Sequence, residues 1–190
     1  EAKFSHHKIV NIPRQILYRI FNYDCAKTER GIRFMMKLNQ LKNYDVVQLI
    51  NEAPIKTTPL FEKFLLKKLL QQNGKCFLLS CGVDRNNVKF LLSKKLKYSL
   101  VTPYFENKKL KKHYAYIFDY LKPSHKKLSY FVIKNSRGII ASDIDYVLPL
   151  QGNSKFLGLI PNAVNTEKIK FKELEINEKV HVFLGINTFN

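Results

Sequence analysis

Arginine is scarce in this chain. Of 33 basic residues, six are arginine: Arg14, Arg19, Arg30, Arg33, Arg85 and Arg137. Arginine is the fork that grips phosphates and base edges, whereas lysine is a solvated point charge. The net charge of +18 would otherwise invite nucleic acid. With few arginines and no recognisable binding motif, nucleic acid is the weaker partner and an anionic membrane surface the better one. Frequent Lys, Asn and Ile also suit an AT-rich genome, so part of the charge is compositional background. Cysteine is scarce too. Cys25, Cys76 and Cys81 form no metal pattern, so no metal is expected. They fit a reducing compartment, and therefore the cytoplasm, better than a disulfide framework. Long apolar runs are missing: nothing approaches the ~20 residues of a membrane-crossing helix. No secretory signal is visible. Neither the three-glycine dinucleotide motif nor the lysine-containing phosphate loop occurs, and no internal repeat is evident.

What the chain does have is five short apolar runs. They lie at residues 45–50, 75–80, 138–142, 156–160 and 180–185. All are near-continuous rather than alternating, which suits strands of a parallel sheet covered by helices. Helical patterns lie between most of them. The fold class expected is α/β, a Rossmann-like, mainly parallel sheet with helices on both faces. Length and a 45% hydrophobic fraction allow one sizeable core. The chain opens on Glu1 and stops at Asn190, just after an apparent strand. Both ends read as cuts, so a piece of a longer protein is expected.

The helices have their own signals. Pro13 opens a run in which Ile16, Leu17, Ile20 and Phe21 share one face. Asp24 can cap a second helix reaching about Leu41, with Gly31 as an awkward interior residue. Thr58-Pro59 starts a third, which Asn73-Gly74 stops. Asp84 can cap a short helix over 85–96. Residues 98–104 read as extended or looped. Over 106–118, Lys is interleaved with aromatics; a membrane-facing helix would look so. The preferred reading packs Leu110, Tyr114, Ile117 and Phe118 on the sheet. Pro123-Ser124 opens a last helix to about Asn135.

Residues Ile160-Pro161-Asn162-Ala163-Val164-Asn165-Thr166 resemble the Ile-Pro-Asn-Gly-Val-Asp-Thr segment of GT-B glycosyltransferases, particularly the family 4 type. Ala163 replaces the usual Gly and Asn165 the usual Asp. Upstream, Gly138-Ile139-Ile140-Ala141-Ser142-Asp143 resembles the strand that precedes that segment. Tyr44-Asp45-Val46-Val47-Gln48-Leu49-Ile50-Asn51 resembles the family's strand that reaches the interdomain cleft. Val180 to Gly185 resembles the first strand of the second domain. The resemblance implies the N-terminal, acceptor-side half of a GT-B fold over residues 1–161. Residues 162–190 would then be the interdomain segment and the start of a truncated second domain. Residues 1–20 lack the opening strand and Gly-rich loop of the family.

The resemblance also implies metal-independent transfer of a sugar to an acceptor hydroxyl, on a glycan or a lipid-linked acceptor. The nucleotide-sugar donor would be held mainly by a domain beyond Asn190, with no cofactor bound here and the fragment inactive alone. Open α/β sheets bind ligands at the C-terminal ends of their strands. That points to three loops: Asn51-Glu52, Ser80-Cys81-Gly82-Val83-Asp84 and Ser142-Asp143. Glu52 is the preferred general base, since an inverting transfer needs a carboxylate or His near the acceptor hydroxyl. Asn51, Ser80, Gly82, Asp84, Ser142 and Asp143 would bind the acceptor. Asp84 and Asp143 are equally explained as helix caps, and Cys81 as a small buried thiol. The alternatives are a basic nucleic-acid-binding module and a non-catalytic α/β interaction domain.

Overall fold

The computed structural model describes residues 7–21, 24–161, 163, 165 and 167. The strand expected at 180–185, and nearly all of the segment assigned to a second domain, lie outside them. Helix α1 is Lys8–Phe21 and α2 is Cys25–Lys37. Pro13 does not open α1 but lies inside it. The helix starts further upstream because the His7 carbonyl accepts the amides of Val10 and Asn11. Asp24 does cap α2, accepting the Ala26 N–H. Gly31 sits mid-helix because a Cβ there would overlap the Phe61 ring, so α2 packs closely on the next helix.

Strand β1 is Val46–Ile50, helix α3 is Pro59–Gln71 and strand β2 is Lys75–Ser80. Helices α4 (Arg85–Leu92), α5 (Thr102–Glu106), α6 (Ala115–Asp119) and α7 (Pro123–Asn135) follow. Strand β3 is Gly138–Ala141, α8 is Ile144–Val147 and β4 is Phe156–Leu159. The four strands form one sheet in the order β1-β2-β3-β4, all parallel. This is the α/β, Rossmann-like sheet flanked by helices that the apolar runs predict. The register shifts between Ile139 and Ile140 opposite β4, where Gly158 takes a φ of +124° that a side chain rarely adopts.

The sheet's two faces are covered unequally. Side chains alternate along a strand. Leu49, Cys76, Leu78, Ile139 and Ala141 are buried together against Leu66 and Leu69 of α3 and Leu128 and Val132 of α7. The alternate residues Val46, Ile50, Leu157 and Leu159 are exposed. Strand order that advances one step at a time, with right-handed crossovers, brings successive connecting helices to the same face.

Between β2 and α7 the chain builds a second, smaller core. Val88, Val101, Tyr114 and Ile117 are buried there, with Leu110 and Phe118 packed against them. The expectation that Leu110, Tyr114, Ile117 and Phe118 pack on the sheet is therefore corrected. The Lys-rich stretch is not one helix but a 3-10 turn, Lys108–Lys112, followed by α6. Its aromatics close on Tyr104, whose ring lies 4.9 Å from that of Phe118.

Candidate functional site at the C-terminal edge of the sheet

All four strands end on one edge, so the loops after β1, β2 and β3 meet there. Asn51 ends β1 with a φ of +73°, a conformation Asn tolerates better than most residues. Its Nδ2 donates to the carbonyls of Cys81 (2.6 Å) and Val83 (3.0 Å). Its Oδ1 accepts the Ala53 N–H. Asn51 thus sews the first loop to the second, and both ends of its amide are engaged within the fold.

Glu52 turns inward and is 3% exposed. Its Oε1 accepts the Arg85 N–H at 3.1 Å, at the start of α4, and the Ser129 hydroxyl of α7 also donates to it. Burial pushes its carboxyl up to about 7, against the hydrogen bond from Ser129; the nearby Asp84 pushes it the same way as burial. A carboxyl in that range is part protonated at neutral pH, as a general acid or base requires.

Asp84 is buried and does two jobs. Oδ1 accepts the Asn87 N–H as the cap of α4, and Oδ2 accepts the Ser80 hydroxyl at 2.6 Å. Burial raises this carboxyl as well, opposed by those bonds. The Ser80 carbonyl in turn accepts the hydroxyl of Ser142. Ser142, Ser80 and Asp84 therefore form one hydrogen-bonded group, and the Arg85 N–H ties Glu52 beside it. Gly82, at a φ of +67°, donates its N–H to the Tyr146 hydroxyl at 2.7 Å. Asp143 stays outside the group: it is exposed and caps α8 by accepting the Ile144 N–H.

A cavity of about 240 Å³ opens beside this group. Gly82, Asn87, Tyr98, Asp145 and Tyr146 line it, among apolar neighbours. Glu52 does not; it sits behind the 82–87 turn. Asp145 and Tyr146 were not foreseen, because only folding brings them to Gly82. Ser129 could have been: a serine next to Leu128 on the inward side of α7 needs a buried partner. Behind the acids lies Tyr120, its hydroxyl pushed up by burial and then by the charges of Glu52 and Asp84. Its ring is 4.9 Å from that of His125, whose pKa burial lowers. Lys27 near the start of α2 lowers it further. Among the described residues no group of His, Cys, Asp and Glu could hold a metal ion.

No family model, no curated protein and no solved structure matches this chain.

Proposed function

We propose that this chain is the acceptor-binding side of an enzyme that transfers a sugar from a nucleotide-sugar donor to a hydroxyl of a glycan or lipid-linked acceptor. The observation that supports it is the buried carboxyl pair Glu52 and Asp84, with Glu52 near neutral, behind a small cavity at the C-terminal edge of a parallel sheet. Ligands collect at that edge. The cavity is smaller than the ~300–1,000 Å³ of drug-sized sites, and a single sugar ring suits it. In this reading Glu52 takes the acceptor proton, Gly82 and Asn87 shape the cavity wall, and Ser80 and Asp84 stay buried off that wall. Asn51 and Ser142 tie the three loops together. Asp145 supports a second assignment of the base, because it lines the cavity and Glu52 does not.

The test uses the full-length enzyme with its substrates. Glu52→Gln lowers turnover about a hundredfold if Glu52 is the base. An unchanged Glu52→Gln beside a crippled Asp145→Asn moves the role to Asp145. If neither matters, no base for transfer resides here. The same proposal puts the protein in the cytoplasm, at the inner face of a membrane, because strong positive charge favours anionic lipid. No helix among the described residues is long and apolar enough to cross a membrane. Nucleic-acid binding, the rival reading of the charge, would show as a steep loss of affinity with salt.

A further inference from the structure

Helix α1 wears its apolar stripe on the outside. Ile9, Ile12, Ile16 and Ile20 recur at three- and four-residue steps. At 3.6 residues per turn they fall within an arc of about 80°. In a helix packed on its own core, such a stripe faces inward. Here the four isoleucines are 78%, 68%, 50% and 67% exposed. The other side of the helix is what meets the protein. Arg14 donates from Nε to Asp24 Oδ1 at 2.9 Å and from Nη2 to Oδ2 at 3.3 Å, while Val10 and Asn11 are half-buried. Burial works against the Asp24 charge, but the Arg14 hydrogen bond and the Ala26 N–H outweigh it and hold the carboxyl below its ordinary range. That pair, on the residue that also caps α2, fixes α1 with the isoleucines turned away.

We infer that α1 is a docking helix that lies flat on an anionic membrane surface. Charge decides the occupant. The sequence of α1 holds Lys8, Arg14 and Arg19 and no acidic residue. An apolar stripe beside basic residues is the pattern of an interfacial helix. The whole chain carries +18, so two copies repel each other, whereas an anionic leaflet attracts both. The stripe runs about 16 Å from Ile9 to Ile20 at the helical rise. That is too short to span a bilayer core of ~30 Å and suits a helix sunk part-way into the headgroups. Lys27, near the start of the helix to which α1 is pinned, acts on His125 of α7 and lowers its pKa. Docking through α1 extends the membrane position proposed above and is independent of the chemistry at Glu52.

Co-sedimentation of the full chain with lipid vesicles tests it. Phosphatidylcholine vesicles with about one third phosphatidylglycerol should pull the protein down, and phosphatidylcholine alone much less. Ile12→Gln with Ile16→Gln should lower that partition about tenfold or more. Both residues are exposed, so the fold, checked by its far-ultraviolet spectrum, should stay. Wild-type protein that ignores anionic vesicles, or a double variant that binds them equally, would overturn the inference. So would a double variant that loses a concentration-dependent dimer while vesicle binding is unchanged, since a second copy would then cover the stripe. The vesicles contain no sugar acceptor, so failure here leaves the proposed transfer reaction standing.

Discussion

Glu52 and Glu62 flank one loop, and both are buried, at 3% and 0% exposure. Burial raises both carboxyls. Their neighbours differ. Glu62, in the first turns of α3, accepts the Ile55 N–H at 2.7 Å with one oxygen and the Thr57 N–H at 2.8 Å with the other. Its partners are the amides of its own loop, and the result is a closed local tie. Glu52 gathers partners from α4 and α7 instead, and among the charges acting on it another acid, Asp84, outweighs Arg85. Amide donors favour the charged form, and a neighbouring carboxylate favours the neutral one. Equal burial thus gives a fastener in one case and a proton-holding group in the other.

The largest effect expected from this contrast is on stability. Glu62→Ala leaves the amides of the buried Thr57 and the half-buried Ile55 without an acceptor, and each such loss costs about 1–3 kcal/mol when the amide is buried. A total near 3 kcal/mol is expected in urea unfolding. Glu52→Gln keeps the shape and the acceptor oxygen, so its stability cost at neutral pH should be under about 1 kcal/mol. If Glu52→Gln costs as much as Glu62→Ala, the two acids are alike and Glu52 is a fastener too. An effect smaller than that of Glu62→Ala is expected from Ser80→Ala, which removes one hydrogen bond to Asp84. About 1 kcal/mol should be lost, and the Asp84 carboxyl, short of one donor, should move further upward. No change would mean that the Ser80–Asp84 bond does not contribute.

Much of the fold was legible in the sequence because it rests on local signals. The four described strands coincide with apolar runs whose continuity marks burial in a parallel sheet. The caps Asp24, Asp84 and Asp143 stand one residue before their helices and accept backbone amides as such residues should. The second core was not legible. Tyr104, Tyr114 and Phe118 pack on Val88 and not on the sheet, and no period along the chain distinguishes one apolar surface from another. The same limit applies to α1: that Ile16 and Ile20 share a face was readable, but not that this face points outward. At the site, Ser80 and Asp84 were readable as neighbours across one short turn. The Gly82–Tyr146 bond joins residues 64 positions apart, and nothing in the spacing announces it.

The proton affinity of Glu52 is where the account is most directly exposed. Carbon-13 NMR of the glutamate side-chain carboxyls, followed through a pH titration, reads it residue by residue, with Glu52→Gln identifying the signal. The expected midpoint is about 7, against an ordinary value of 4.5. The sign of the linked stability follows. The folded state holds the Glu52 proton more tightly than the unfolded chain. Its contribution is therefore full below the ordinary carboxylate range and is lost as pH rises through about 7. That loss amounts to about 3 kcal/mol across the window, at 1.36 kcal/mol per unit. A Glu52 signal that titrates near 4.5 would contradict the account, because a carboxylate already ionised at that pH is not the poised group on which the proposed transfer chemistry depends.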